Sequence, residues 1–292
     1  MTRCLQTTGQ GYFEEVTYEL PPLTENEICV RAVMTGVCRS DIDMMQGNFG
    51  PLPLHMQGHE GLGKVIGIGA NITDVKFGDY VATRGEPAYA DIYNVRSKEY
   101  VLVPEAHPRY IIEPVACGIN AVDVADCSGQ DKILIIGSGF LAWVAYHTLT
   151  KFKHCERVDV VGSSNIDLWG DRLLLGTTES YDVVIDLSGK YSLGIDINLN
   201  NNALIVDAVG KAVSREEAQQ QLWKATTTIK PSPRNPNFYQ CMKDAVWMIE
   251  NGYLEVDSFW TKAYNRNIEW QQVFADGKDP PNGYSRGYIK WD

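Results

Sequence analysis

KILIIGSGFLAWVAYHTLT, residues 132–150, is the stretch that decides the fold. Lys132–Ile136 is a short, continuously apolar run of the kind that forms a strand buried on both faces. Phe140–Thr150 has helical spacing, so the strand runs through Gly137-Ser138-Gly139 directly into a helix. In a βαβ unit of this type the first glycine makes the tight turn. The second leaves room for a pyrophosphate, and the small residue at Ala142 lets helix and strand pack closely. The helix N-terminus offers unpaired amides and a partial positive charge to phosphate. Gly137, Gly139, Phe140 and Leu141 are therefore candidate cofactor contacts.

Downstream, Arg157–Val161, Asp182–Leu187 and Ala203–Val206 each read as a further buried strand. Strands alternating with helical segments predict a parallel, doubly wound sheet of the Rossmann type. The end of the second strand selects the cofactor, because an acid there would bond the 2′-hydroxyl of NAD. Here Val161 is followed by Gly162-Ser163-Ser164-Asn165, with no carboxylate before Asp167. Ser163 and Ser164 leave space for a 2′-phosphate and favour NADP over NAD, although Arg172 is the nearest basic residue downstream. Only residues 162–181 separate that strand from DVVIDL.

Upstream the rhythm differs. Ile28–Val33, Gly63–Gly69, Asp79–Thr83 and Tyr100–Val103 are short strands separated by turn-rich stretches such as QGNFGPLP, which suggests a barrel or sandwich. Near residue 115 the pattern changes, with a helix expected over Ala116–Ala125. After Lys230 the break PSPRNPN precedes an amphipathic helix over Phe238–Asn251 closed by Gly252, and the final YIKW offers a last strand.

Composition restricts the function. The 292 residues are 44% hydrophobic and 22% charged, within the range of globular proteins. A net charge of −11 opposes nucleic acid and anionic membrane surfaces as partners. No apolar run has the length of a membrane helix, and MTRCLQTTGQGYFEE turns polar at once, so a cytoplasmic protein is expected. Seven scattered cysteines fit reduced thiols better than a disulfide scaffold.

Two motifs carry metal-ligand chemistry. Gly36-Val37-Cys38-Arg39-Ser40-Asp41 is followed by Gly58-His59-Glu60-Gly61, and thiolate, imidazole and carboxylate are the ligand types of a catalytic zinc. Any one of them alone reads more simply as a packing or surface residue. Together, ahead of a nucleotide-binding unit, they do not.

GVCRSD, GHEGLGKVIGIGANITDVKFGDYVA, PAYADI, IIEPVACGINAV, ILIIGSGFLA, DVVIDLSG and GYIKW occur in this order, and with them the chain resembles the medium-chain dehydrogenase/reductase superfamily of zinc-dependent alcohol and polyol dehydrogenases. The resemblance implies a GroES-like β-barrel catalytic domain, residues 1–117 completed by 232–292, with a trimmed Rossmann domain inserted over 118–231. It implies interconversion of an alcohol or polyol and its aldehyde or ketone by hydride transfer, with one catalytic zinc and NADP(H) or NAD(H). By position Cys38 and His59 resemble two zinc ligands, Glu60 the carboxylate that binds or exchanges at the metal in some members, and Glu113 the third protein ligand or an acid just behind the ligands, with Cys117 the alternative. Ser40 resembles the hydroxyl that relays the substrate proton, Arg39 a pyrophosphate contact, and Asp41 a residue that orients the site. Ser188 and Val209, at the ends of the next two strands, complete the cofactor set. Phe49, Met56 and Arg84 resemble pocket positions.

The chain also departs from the family pattern. The four-cysteine structural-zinc lobe is absent, and Asp43 stands where a histidine often ends the proton relay. Where relatives place a helix, a strand and another helix, this chain has only residues 162–181, so the sheet is expected to lose a strand or keep a stub. Two further readings are a zinc-free quinone or enoyl reductase of the same fold and a catalytically inactive binding protein. The retained Cys38, His59 and Glu113 set argues against both. Family members imply a homodimer or homotetramer, with Ala203–Val209 as a candidate edge contact.

Overall fold

The computed structural model describes residues 2–50, 57–85, 87–188, 197–208, 227–229 and 231–291. Two compact units divide the chain, 1–114 with 255–292 and 115–254. The insertion therefore extends beyond the expected boundary at 231, because the helix Phe238–Glu250 packs with the second unit. One link is the Cys241 thiol, 3.5 Å from Asp123 Oδ2, and Asn120 Nδ2 donates to Ser232 O at 3.1 Å nearby.

The first unit opens with a two-stranded antiparallel pair, β1 (Thr2–Gln6) and β2 (Glu14–Tyr18). Then come β3 (Glu27–Gly36), the short helix α1 (Arg39–Met45), β4 (Gly61–Ile68), β5 (Tyr80–Thr83), β6 (Ile92–Arg96) and β7 (Tyr100–Val103). The helix α2 (Glu113–Asp123) starts earlier than its apolar run suggests, with Pro114 in its first turn, where a missing N–H is harmless.

The second unit holds β8 (Lys132–Ile136), α3 (Phe140–His147), β9 (Arg157–Val161), a one-turn helix α4 (Ile166–Trp169), β10 (Leu173–Leu174), β11 (Ser180–Asp186), β12 (Asn198–Asp207) and β13 (Thr227–Ile229). The chain returns to the first unit with β14 (Trp260–Asn265), the helix Trp270–Lys278 and β15 (Arg286–Lys290).

In the first unit the strand order is β14-β15-β3-β4-β5-β7, with β6 paired to β3. Tyr288, Ile289 and Lys290 pair antiparallel with Gly36, Thr35 and Met34, so the two chain ends share one sheet. In the second unit the order is β10-β9-β8-β11-β12-β13, every pair parallel. The order reverses between β8 and β11, the switch point at which such sheets bind ligands. The trimmed third strand survives as the two-residue β10, the expected stub. The expectation that Ala203–Val209 forms the sheet edge does not hold. Leu204–Val206 pair with Thr227–Ile229 on one side and with β11 on the other, so β13 is the outer strand. No helix among the described residues is long and apolar enough to cross a membrane.

Behind α3 a buried aromatic group encloses His147. Trp143 and Tyr146 meet its ring at 4.3 and 5.5 Å, and Trp169 packs edge-on against both tryptophan and tyrosine. Burial, with Lys151 and Arg172 near, lowers the imidazole pKa to about 4. Unfolded, the ring takes its proton near 6.5, so between these values the unfolded chain binds more protons. Stability is expected to fall as pH drops from 6.5 towards about 4, by at most about 1.4 kcal/mol per unit. Urea unfolding of wild type and His147→Gln across this window tests it, with a flatter slope expected for the variant.

Candidate functional site

The Cys–His motif is assembled by a local rule and a distant one. Cys38 caps α1, and Asp41, three residues on, returns its carboxylate to the Cys38 N–H at 2.8 Å. This arrangement satisfies an otherwise orphaned helix donor. Asp41 is fully buried, and the same Oδ2 accepts the Tyr89 phenol at 2.7 Å. Its Oδ1 accepts no hydrogen bond and faces His59 Nδ1 at 3.7 Å.

The ligand atoms of Cys38, His59 and Glu60 lie within 4.8 Å of one another. With Nδ1 turned to Asp41, the His59 ring leaves Nε2 for a metal, and a carboxylate behind a ligating histidine fixes its tautomer. Burial alone would disfavour the imidazolium, yet Asp41, the Cys38 side chain and the Glu113 charge together hold the His59 pKa well above its usual value. A bound cation would displace that proton, and an uncharged ring with a carboxylate behind it suits the role of ligand. The donor set fits one zinc: a thiolate and an imidazole, with carboxylates close by.

Glu60 is fully buried, and Arg286 Nη2 donates to both of its oxygens. The Arg286 side chain is 13% exposed, and its guanidinium carbon lies 4.9 Å from the centre of the Trp260 ring. Burial opposes its charge, but Glu60 outweighs that and raises its pKa. Sequence reasoning missed both Arg286 and Tyr89. An arginine in SRGYIKW shows no link to a glutamate 226 positions earlier, because strand pairing alone brings them together.

Glu113, buried at the head of α2, stands outside the 4.8 Å cluster, while its charge reaches both His59 and Arg286. Cys117, partly buried one turn further along α2, also stands outside it. Ser40 is half-buried in the first turn of α1. Arg39 is exposed, with Nε 3.8 Å from Asp43 Oδ1. Asp43 Oδ1 also accepts Asn48 Nδ2 at 3.2 Å. Phe49 is exposed and Arg84 half-buried, whereas Met56 lies outside the described residues.

In the second unit Gly137 has φ +116°, a conformation that favours glycine. A Cβ there would come within 3.1 Å of Leu187 C and Ser188 N. Gly139 caps α3, and among the described residues nothing lies within 4 Å of where its Cβ would stand. Open space thus sits over a helix N-terminus, as a pyrophosphate requires. Phe140 is buried and Leu141 half-buried in the first turn of α3.

Ser138 ties this turn to the loop after β9. Its Oγ accepts the Ser164 N–H at 2.8 Å and lies 3.0 Å from Ser164 Oγ. Its carbonyl accepts Asn165 Nδ2 and Trp169 Nε1, each at 2.9 Å. Ser163 and Ser164 are exposed beside that anchor. Ser188 donates its N–H and hydroxyl to Asp186 Oδ1 at 2.9 and 2.8 Å. Val209 lies outside the described residues.

Residues 24–108 match the alcohol dehydrogenase GroES-like domain. D-arabitol-phosphate dehydrogenase of Enterococcus avium is 30% identical over 338 aligned positions, covering 92% of each chain. An uncharacterized zinc-type alcohol dehydrogenase-like protein of Escherichia coli K12 is 24% identical over 96% of each chain. The solved structure of S. aureus TarJ in complex with NADPH superposes with TM-score 0.76 at 16% identity, covering 100% of this chain and 99% of that one.

The buried Glu60–Arg286 pair makes a stability prediction. Arg286→Met leaves an uncompensated buried carboxylate and is expected to lower stability by about 3–5 kcal/mol. In a double-mutant cycle by urea unfolding, adding Glu60→Gln is expected to restore part of that loss.

Proposed function

The chain belongs to the medium-chain dehydrogenase/reductase superfamily, and we propose that it interconverts an alcohol or polyol and its aldehyde or ketone at one catalytic zinc with a nicotinamide cofactor. The convergence of Cys38, His59 and Glu60 donor atoms within 4.8 Å carries this reading. A quinone-reductase-like or inactive relative has no use for a thiol and an imidazole facing each other over a buried carboxylate.

Cys38 Sγ and His59 Nε2 hold the zinc in this reading, with Glu113 as the further protein ligand and Cys117 its alternative. The metal supplies Lewis acidity at the substrate oxygen, and the nicotinamide carries the hydride. Asp41 fixes the His59 ring through Nδ1, so the opposite nitrogen keeps its direction. Arg286 holds Glu60 on both oxygens, and this carboxylate would stand beside the metal as one that can bind or exchange there. The Ser40 hydroxyl takes the substrate proton and passes it outward, and Arg39 contacts the pyrophosphate.

Gly137, Gly139, Phe140 and Leu141 form the phosphate turn. The carboxylate-free loop at Ser163 and Ser164 favours NADP over NAD, with Ser188 and Val209 as the remaining cofactor contacts. The name of the E. avium relative specifies a polyol phosphate, which supports trying sugar alcohols and their phosphates as substrates. A homodimer or homotetramer in the cytoplasm completes the reading.

A panel of alcohols, polyols and polyol phosphates with NADP⁺ and NAD⁺, run alongside zinc analysis, tests the proposal. Wild type is expected to turn over at least one substrate with about one zinc per chain. Cys38→Ala is expected to lose the metal and at least 100-fold in kcat/KM, since metal and proton relay act as a unit. Turnover by Cys38→Ala at the wild-type rate would remove the metal from the reaction.

The open space at Gly139 gives a separate test. Gly139→Val has room in the protein alone, with φ −84° and ψ −168° accessible to any residue. Its unfolding midpoint is expected to stay near wild type, while NADPH affinity by fluorescence titration falls at least 10-fold because the side chain takes the pyrophosphate's place.

A further inference from the structure

We propose that Tyr89 is a positioning residue of the metal site, holding both the histidine-bearing backbone and the carboxylate that orients the histidine. The inference rests on the reading of Cys38 and His59 as metal ligands and deepens it.

Tyr89 is fully buried, and its two ends do different work. The phenol donates to Asp41 Oδ2 at 2.7 Å, with Gly36 O at 3.3 Å. Since the Cys38 N–H bonds the same oxygen, Oδ2 is held from two directions. The carboxylate plane is thereby set, and Oδ1, free of hydrogen bonds, is left facing His59 Nδ1.

The ring meets the other half of the motif. Gly58 has φ +72°, and a Cβ there would stand 2.6 Å from Tyr89 Cγ and 2.8 Å from both Cδ atoms. The Gly58 α-carbon therefore rests on the ring face, one residue before His59. Backbone bonds fasten the two segments, from the Ala88 N–H to Gly58 O at 3.0 Å and from the Tyr89 N–H to Gln57 O at 3.5 Å.

The ring itself is clamped. Phe13 and Phe274 stack on one another with centroids 3.9 Å apart, and each meets Tyr89 edge-on, at 5.8 and 5.6 Å. Phenylalanine at 89 would keep that packing and the ring under Gly58. It would not keep the second donor to Asp41, and the carboxylate would then rotate about its single bond from the Cys38 N–H. Loss of an outer partner of this kind typically weakens metal binding 10- to 100-fold.

Tyr93 provides the control. It is equally buried, and its hydroxyl lies 2.9 Å from Thr83 Oγ1. Tyr93→Phe therefore deletes a buried phenol from the same core without touching Asp41.

The experiment uses the full chain in wild-type, Tyr89→Phe, Tyr93→Phe, Asp41→Asn and Asp41→Asn/Tyr89→Phe forms. Zinc affinity is read by chelator competition, and site geometry by the visible absorption of the cobalt(II) form. Tyr89→Phe is expected to bind zinc 10- to 100-fold more weakly with shifted cobalt bands, while Tyr93→Phe matches wild type. In the Asp41→Asn background, Tyr89→Phe is expected to add less than threefold. Wild-type affinity and spectrum in Tyr89→Phe, or equal weakening in Tyr93→Phe, would overturn the inference and leave the zinc reading standing. A wild-type chain that binds neither metal would overturn both.

Discussion

One buried carboxylate organises the first unit's chemistry. Asp41 has no access to water, so each of its oxygens must be matched by protein. Oδ2 is matched twice, by the Cys38 N–H and by the Tyr89 phenol, whereas Oδ1 is matched only by the facing imidazole. That asymmetry fixes where Cys38 begins its helix and how the His59 ring is turned. Burial of so polar a group is costly unless it is paired, and the pairing here lies at the site where a cation would sit. A second buried acid, Glu60, is matched by Arg286 in the same way. The two carboxylates give the site negative charge, and one arginine tempers it.

The second unit meets a different constraint. A parallel sheet trimmed to a two-residue third strand has little to hold the loop after β9 in place. Ser138 supplies the hold: its hydroxyl takes the Ser164 amide, and its carbonyl takes Asn165 and the Trp169 indole. The residue between the two glycines of the phosphate turn thus anchors the loop that faces the adenosine ribose in folds of this kind. The shortened segment keeps a defined shape through side-chain hydrogen bonds where longer sheets use further strands and helices.

Much of this was legible in the sequence, and the boundary of legibility has a physical basis. KILII and GSGFLA are local signals, a buried strand and a βα turn that declare themselves within a few residues, and GVCRSD with GHEG offers the thiol, imidazole and carboxylate of a ligand set. Set against the family pattern, the short segment 162–181 predicts a lost strand or a stub, and the stub is Leu173–Leu174. What escaped is non-local or weakly patterned. Arg286 meets Glu60 through paired strands from distant parts of the chain, and Tyr89 meets Asp41 across 48 positions of sequence. The strand expected over Ala203–Val206 starts five residues earlier, because the sheet recruits the polar stretch Asn198–Asn202 into β12. Phe238–Glu250 has a clear helical pattern, but a pattern does not say which unit its apolar face will join. Val209 and Met56 lie beyond what the structure describes.

Everything proposed for the first unit turns on Cys38 and His59 holding a metal ion between them. Anomalous diffraction at the zinc edge, from crystals grown with equimolar zinc, is the decisive measurement. One peak is expected at bonding distance, about 2.3 Å from Cys38 Sγ and about 2.0–2.1 Å from His59 Nε2, with Nδ1 still turned to Asp41. A map with no peak there, and Cys38 and His59 hydrogen-bonded to each other instead, would contradict it.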